Sequence, residues 1–276
     1  MAAQGLDAIL QAFLDAVNNK KWDEVNKYLR PSVAAAYNEN PETRDDFVKR
    51  LTATADRGDR LNADSWTIDE AAQTVGARLV TSIKDAAEGT PAQVWDLVIV
   101  SFEDGKIARF YQVASKMSRD SRAGPPAPEV TPKPSGTLLS AGEIDARYRE
   151  YIFSYNEGAM HTVLPRLWSN AVLFNGKQLP VDMAVVLLGK ILLPVIAGLK
   201  YQIEEVAVDE RRQQIAVRLS LEGVPENDFL QKGGPGEKVK VYEHALYGYE
   251  DGKISWGWAA QAFDTLPPPA PGAGGP

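Results

Sequence analysis

The chain has 276 residues, of which 44% are hydrophobic and 24% charged, and its net charge is −7. This composition is typical of a folded globular protein, and an acidic chain without basic runs is a poor partner for nucleic acid. The absence of cysteine excludes disulfides, thiolate metal sites and a cysteine nucleophile.

The N-terminal segment predicts an amphipathic helix from Leu6 to Val17, because its apolar residues recur at helical spacing. It lacks a basic flank before a continuous apolar core, so we expect no signal peptide and a cytoplasmic protein. Asn18-Asn19 separates this helix from a second, short one. Further along, SFEDGKIARFYQV (101–113) carries the Asp-Gly pair typical of a β-hairpin turn.

Proline and small residues are concentrated in 121–142, which predicts an extended linker, and again in 267–276, which predicts a disordered tail. The linker divides the chain into a first domain, 1–120, and a second domain, 143–266. The second domain repeats the order of the first: an amphipathic helix, a short helix, and then strands.

An apolar stretch from Met183 to Leu199 is the one segment that resembles a membrane span. It is near the lower length limit for spanning, and Lys190 and Pro194 interrupt it. We therefore interpret it as a buried helix of a globular domain that forms a pocket wall, and we expect no membrane partner.

The two halves align in sequence as well as in order. IDEAAQTVGARL (68–79) matches VDERRQQIAVRL (208–219) at an offset of 140, and the shared EDGKI recurs at an offset of 147. Asn38 aligns with Asn175. Helices followed by runs of strands indicate an α+β fold, with helices on one face of a curved antiparallel sheet. The other sheet faces then pack together as an internal pseudo-dimer, so that the chain can be monomeric.

The runs YREYIFSYNEGAMHTVLPRLWSNAVLFNG, VDERRQQIAVRLSLEG and YEHALYGYEDGKISWGW resemble the SnoaL-like branch of the NTF2-like superfamily. The resemblance covers the second copy, from Gly142 to Phe263, and more weakly the first, from Leu6 to Ala114. It implies two tandem cone-shaped domains that hold a small hydrophobic ligand. Members include polyketide cyclases, isomerases and dehydratases that typically work without metal or cofactor, and others only bind ligands or partners.

In this family the resemblance places His244 and Asn175 at polar pocket positions. The cyclases also use an aspartate on the last strand, but that neighbourhood holds Trp258 here, and the nearest downstream carboxylate is Asp264. Each residue has a structural alternative: a hydrogen-bonded core histidine, a turn asparagine in Asn-Gly, and a solvated aspartate.

A glycine bulge in the last hairpin would set His244 opposite Trp258, with Tyr242 and Trp256 on the same face. The resemblance points that face into the cone. With a simple two-residue turn, the tryptophans would pack against the other domain instead. Glu243 alternates to the opposite face and is expected to be structural. Leu97 occupies the position of His244 in the first copy, so we expect that copy to be a structural or degenerate domain.

Aromatic residues are expected to shape the substrate pocket of the second domain: Tyr155, Trp168, Tyr242, Trp256 and Trp258. The favoured interpretation is a cofactor-independent cyclase, isomerase or dehydratase acting on a polyketide- or terpenoid-type intermediate, with His244 and Asp264 as catalytic residues. A pericyclic or rearrangement step controlled by pocket shape fits the missing aspartate best. The alternative is a non-catalytic small-molecule-binding or scaffold protein.

Overall fold

The computed structural model describes residues 5–87, 92–120, 136–226 and 236–262, except for the side chains of Met117 and Asp120. Asp264, the predicted tail and most of the predicted linker lie outside the described residues. None of the helices formed by the described residues has the length and apolar character that a membrane crossing requires.

The first half consists of helices α1 to α4 and strands β1 to β6. In chain order these are α1 (Leu6–Asn18), α2 (Trp22–Tyr28), β1 (Leu29–Tyr37), β2 (Asn40–Glu42), α3 (Arg44–Asp56), β3 (Arg60–Asp69), β4 (Thr74–Ser82), β5 (Gln93–Glu103), β6 (Lys106–Ala114) and α4 (Lys116–Asp120). The six strands form one sheet in the order β2-β1-β6-β5-β4-β3. The β1–β6 pair is parallel and the other pairs are antiparallel.

The second half repeats this plan. Its elements are α5 (Ala141–Glu157), α6 (Met160–Leu167), β7 (Trp168–Phe174), β8 (Lys177–Pro180), α7 (Val181–Val186), a π-helix (Leu187–Leu192), α8 (Leu193–Val195), β9 (Leu199–Asp209), β10 (Gln214–Gly223), β11 (Val239–Glu250) and β12 (Lys253–Gln261). The strand order is β8-β7-β12-β11-β10-β9. Because the two sheets have the same order, the predicted tandem α+β fold is confirmed.

Local sequence signals account for several element boundaries. Ser140 and Glu143 form a reciprocal capping box at the start of α5, and Gly158 ends that helix in the left-handed conformation. Both residues of the final turn, Asp251 and Gly252, have positive φ angles, 47° and 72°. Two positive φ values at the centre of a two-residue loop are typical of a type I′ hairpin turn.

The two sheets pack face to face about an approximate two-fold relation. The backbone N–H of Ile68 donates to the Asp209 carboxylate at 3.2 Å, and the N–H of Val208 donates to the Asp69 carboxylate at 2.9 Å. Within each pair of equivalent residues the numbers differ by 140, as in the sequence alignment. This reciprocity is what an isologous interface requires, and it confirms the internal pseudo-dimer.

Two arginines that recur in the alignment make equivalent contacts across this interface. The guanidinium carbon of Arg78 lies 4.1 Å from the ring centre of Trp258, and that of Arg218 lies 4.5 Å from the ring centre of Tyr111. Arg78 is fully buried and forms a bidentate ion pair with Asp64, at 2.7 and 2.9 Å. Repetition of these arginines therefore reflects packing between the halves.

Candidate functional site

His244 lies in the interface between the two sheets. Its Nδ1 donates a hydrogen bond to the carbonyl oxygen of Leu97 at 3.1 Å, and the side chain is 1% exposed. Burial lowers the pKa of His244 to about 3, against the smaller opposing effect of this hydrogen bond. The imidazole is therefore neutral near pH 7 and faces the first half of the chain, whereas the sequence analysis expected it inside the cone.

The register of the last hairpin explains this placement. The turn is a two-residue type I′ turn, and a bulge falls between Gly248 and Tyr249. His244 consequently pairs with Ala260, and Trp258 pairs with Leu246. As expected, His244 lies on the same face of the sheet as the tryptophans, but it is not directly opposite Trp258. That face contacts the first half of the chain.

The other residues expected on this face are also at the interface or packed along the sheet. Trp258 meets Trp95 of the first half with ring centres 5.2 Å apart. The backbone N–H of Tyr242 donates to Glu39 of the first half at 2.8 Å. Trp256 covers Gly248 so closely that a Cβ there would lie 2.1 Å from the indole ring. None of these contacts directs the side chain into the cone of the second half.

Asn175 joins a hairpin turn to the last strand. Its φ is 48°, its side-chain oxygen accepts from the N–H of Ala259 at 2.9 Å, and its side-chain nitrogen donates to the carbonyl of the same residue at 3.2 Å. Asn38 makes the equivalent contact in the first half, accepting from the N–H of Ala114 at 2.8 Å. Asn175 thus has the turn role that was its structural alternative.

Tyr155 and Trp168 do lie inside the cone of the second half, where aromatic side chains fill the space between the helices and the sheet. Both pack against Tyr151, with ring centres 5.6 Å and 5.5 Å away. The hydroxyl groups of Tyr151 and Tyr155 are 2.9 Å apart, and the hydroxyl of Tyr247 lies 3.4 Å from that of Tyr151. The structure brings these two predicted residues together but separates them from His244.

Glu243, on β11, is the residue before His244 and was predicted to be structural. It is 4% exposed and accepts a hydrogen bond from the hydroxyl of Tyr201 at 3.2 Å. Burial raises the pKa of Tyr148, Tyr201 and Tyr247, and the negative charge of Glu243 raises each further. A carboxylate among phenols is therefore the main polar feature of the second cone.

A cavity of about 360 Å³ lies in the first half, between α3 and the sheet. Apolar side chains form part of its wall: Leu51, Leu61, Leu79, Ile83 and Val94. Three arginines also line it: Arg50, Arg57 and Arg119. This cavity lies in the half that we predicted to be structural or degenerate, whereas the pocket was predicted in the second domain.

Asp96 and Asp59 are buried acids that line this cavity, and Asp59 pairs with Arg57 at 2.9 Å, whereas Asp96 lies deeper among polar partners. One carboxylate oxygen of Asp96 accepts from the side-chain amide of Gln112 at 2.5 Å, and the other lies 2.7 Å from the guanidinium of Arg119. Gln112 in turn accepts from Arg50 at 3.0 Å. Burial and the charge of Asp96 both raise the pKa of Tyr37, which also lines the cavity.

Asp96 and Glu243 occupy equivalent positions on β5 and β11, because 96 and 147 sum to 243, the offset of the shared hairpin. The signal that could have found both residues is this recurrence of an acid one position before Leu97 and His244. Histidine is the more conspicuous difference between the copies, since it is the side chain whose ordinary pKa lies near neutral pH.

No protein-family model and no curated protein matches the chain. Among solved structures, a SnoaL-like polyketide cyclase from Agrobacterium tumefaciens is similar at 23% identity and a TM-score of 0.36, over 43% of this chain and 90% of that one. A putative SnoaL-like polyketide cyclase from Jannaschia has 16% identity and a TM-score of 0.37, over 48% and 100%. A putative ketosteroid isomerase from Kribbella flavida has 16% identity and a TM-score of 0.32, over 39% and 75%. What establishes the α+β fold of each half is its own strand order, repeated in both sheets.

Proposed function

We propose that this chain binds a small, largely apolar molecule bearing a carboxylate or another oxygen acceptor in the cavity of its first half. The observation that carries the proposal is the cavity itself, whose volume of about 360 Å³ falls in the range of small-molecule sites. Its mixed wall suits such a ligand, since the apolar side chains cover the hydrocarbon part and guanidinium groups recognise oxygens.

Binding is better supported than proton abstraction at this cavity. Both oxygens of Asp96 are engaged, one by Gln112 and one by Arg119. With each oxygen occupied by a donor, the carboxylate offers neither oxygen to a C–H bond of a ligand. Asp96 would therefore orient Arg119 and Gln112 toward a ligand. Arg57, whose side chain is 62% exposed at the rim, would be the group able to leave its partner Asp59 and bind a ligand oxygen.

Blocking the cavity mouth tests this proposal. Ala53 lies on the exposed side of α3 and lines the cavity, whereas Lys49 is exposed on the same helix and does not line it. We expect anilinonaphthalene sulfonate, an apolar anion, to bind with one-to-one stoichiometry and Ala53→Trp to weaken binding at least tenfold. Lys49→Trp is the matched control and should bind as the unmodified chain does. Equal binding by both variants would contradict the proposal.

A second candidate function is a cofactor-independent isomerase, cyclase or dehydratase acting in the second half on a hydrophobic carbonyl compound. Glu243 favours it, since a buried carboxylate beside Tyr201 joins a general base with a hydrogen-bond donor. In such a step the C–H bond next to the carbonyl breaks, its proton passes to the Glu243 carboxylate, and its electron pair forms the C=C bond of an enolate. The Tyr201 hydroxyl, which donates to Glu243 at rest, turns to donate to the enolate oxygen.

Exchange of the α-hydrogens of β-tetralone with D₂O, followed by NMR, tests this candidate without knowledge of the natural substrate. If the second half performs such chemistry, exchange is faster with the protein than in buffer, and Glu243→Gln abolishes the acceleration. Ser220→Ala on the neighbouring strand β10 serves as a control for effects on folding. Exchange at the buffer rate would exclude β-tetralone-like ketones, and unchanged acceleration in Glu243→Gln would remove Glu243 from the mechanism.

A further inference from the structure

The segment formed by α7, the π-helix and α8 exposes an apolar face. Met183 is 59% exposed, Val186 48%, Leu187 40% and Ile191 57%. Exposed residues recur in adjacent pairs every four positions along this segment, as expected where a π-helix widens the turn. Contiguous exposed apolar side chains on a folded domain mark an interaction surface rather than a random surface composition.

The first half supplies an internal comparison. Helix α3 occupies the equivalent place, after β2 and before β3, yet its exposed positions include Asp45, Lys49 and Asp56. The fold therefore does not require an apolar outer face on this helix. The apolar face belongs to the second copy alone, although both helices cover the same region of their sheets.

We propose that this face is where a second copy of the chain docks, with the two equivalent helices packed antiparallel about a two-fold axis at Val186. Charge supplies the argument for this occupant. Asp182 and Lys190 are both exposed, and each is four residues from Val186, on opposite sides. In an antiparallel pair centred on Val186, each Asp182 faces the Lys190 of the other copy, so the face is complementary to itself.

The expected contact is small. One helix face of four large apolar side chains lies at the low end of the area that specific interfaces bury. We therefore expect a reversible dimer with a dissociation constant on the order of 10 µM rather than an obligate one. The contact would leave the interface between the two sheets within each chain unchanged, because the helical segment lies on the opposite side of its sheet. The proposed dimer does not depend on whether a ligand binds in the first half or in the second.

Sedimentation velocity of the full chain over a range from about 1 to 200 µM tests the proposal. We expect a monomer–dimer equilibrium that Asp182→Lys and Lys190→Asp each weaken about tenfold or more, since each reversal places like charges together twice in a symmetric dimer. The double variant, with both charges exchanged, restores the original dissociation constant within about twofold. Asp45→Lys on α3 is the matched control and leaves the equilibrium unchanged.

A chain that remains monomeric throughout this range overturns the proposal. It is likewise overturned if dimerisation persists in both single variants, or if the double variant fails to recover it. Sedimentation of a monomeric chain with phosphatidylcholine vesicles would assign the same face to a lipid surface instead.

Discussion

His244 donates a hydrogen bond to the carbonyl of Leu97, the residue that occupies its own position in the first copy. Their residue numbers differ by 147, the offset of the shared hairpin, so equivalent positions of the two copies meet at the interface between the sheets. A histidine in one copy thus serves the contact between copies, and its apolar counterpart accepts through the backbone. The difference between the copies at this position therefore accompanies a contact between them.

Replacing His244 with Leu should change how stability depends on pH. The pKa of His244 is lowered in the folded chain to about 3, below the unfolded value of about 6.5. Its neutral form therefore contributes stability that is fully present above about pH 6.5 and is lost as pH falls toward 3, at roughly 1 kcal/mol per pH unit. The free energy of unfolding in urea should decrease less steeply between these pH values in His244→Leu than in the unmodified chain.

His161, the other histidine, provides the control for this titration. It is exposed on α6, so His161→Leu is the matched control for replacing a histidine with leucine outside the interface between the sheets. If the two variants have the same slope, His244 is not a buried neutral histidine, and its assignment to the interface fails.

Gly76 and Ala216 are equivalent residues that touch across the interface. A Cβ on Gly76 would lie 2.1 Å from the Cβ of Ala216, far inside contact distance. Gly76→Ala should therefore destabilise the chain by about 2 kcal/mol through overpacking. Combining it with Ala216→Gly exchanges the two residues and should recover most of the loss in a double-mutant cycle of urea unfolding. Additive effects would mean that the two residues do not meet.

Removal of the Arg78 guanidinium should cost more than removal of the equivalent Arg218 group. Arg78 is fully buried and paired with Asp64, so Arg78→Met leaves that carboxylate without its cation and should lower the free energy of unfolding by about 3 kcal/mol. Arg218 is partly exposed beside Tyr111, and Arg218→Met should cost about 1 kcal/mol. Thermal and urea unfolding of the two variants measures the difference, and a reversed order would contradict the interface geometry.

The tyrosines of the second cone should lose their phenolic protons only at a higher pH than an exposed tyrosine does. Burial raises the pKa of six tyrosines in the second half, as it does for Tyr37 in the first: Tyr148, Tyr151, Tyr155, Tyr201, Tyr247 and Tyr249. Because the folded values lie above the unfolded one, this stability is present below about pH 10 and is lost as pH rises through the folded values.

Absorbance at alkaline pH gives the measurement. At about pH 11 the native chain should show phenolate from at most four tyrosines, and unfolding in urea at that pH should release the others. Tyr148→Phe should reduce only the signal released on unfolding. Ionisation of all ten residues in the native state would show that the second cone admits water.

The fold could be predicted because the sequence contains two copies of the same unit. Gapless matches around 68–79 and 208–219, and a shared Asp-Gly turn, indicate a duplicated α+β unit without any tertiary information. The two-fold contacts between Ile68 and Asp209 follow from that duplication, since equivalent residues meet across a symmetric interface.

The site could not be predicted to the same degree, because strand periodicity gives two faces but does not say which one meets the helices. On β11, His244 and Glu243 alternate, and only tertiary packing decides that the imidazole faces the other sheet and the carboxylate faces the cone. The cavity in the first half was missed for another reason. Arg119, on α4, reaches Asp96 from beyond the last strand, a contact that no local pattern encodes.

The most direct test compares Asp96→Asn with His244→Leu in one binding titration with anilinonaphthalene sulfonate. Loss of the Asp96 charge releases Arg119 from its ion pair and disturbs the wall of the first-half cavity, whereas the His244 side chain does not line that cavity and bonds to the backbone of Leu97. We expect Asp96→Asn to change the dissociation constant at least fivefold, while His244→Leu binds like the unmodified chain. A dissociation constant that changes in His244→Leu and not in Asp96→Asn would contradict this expectation.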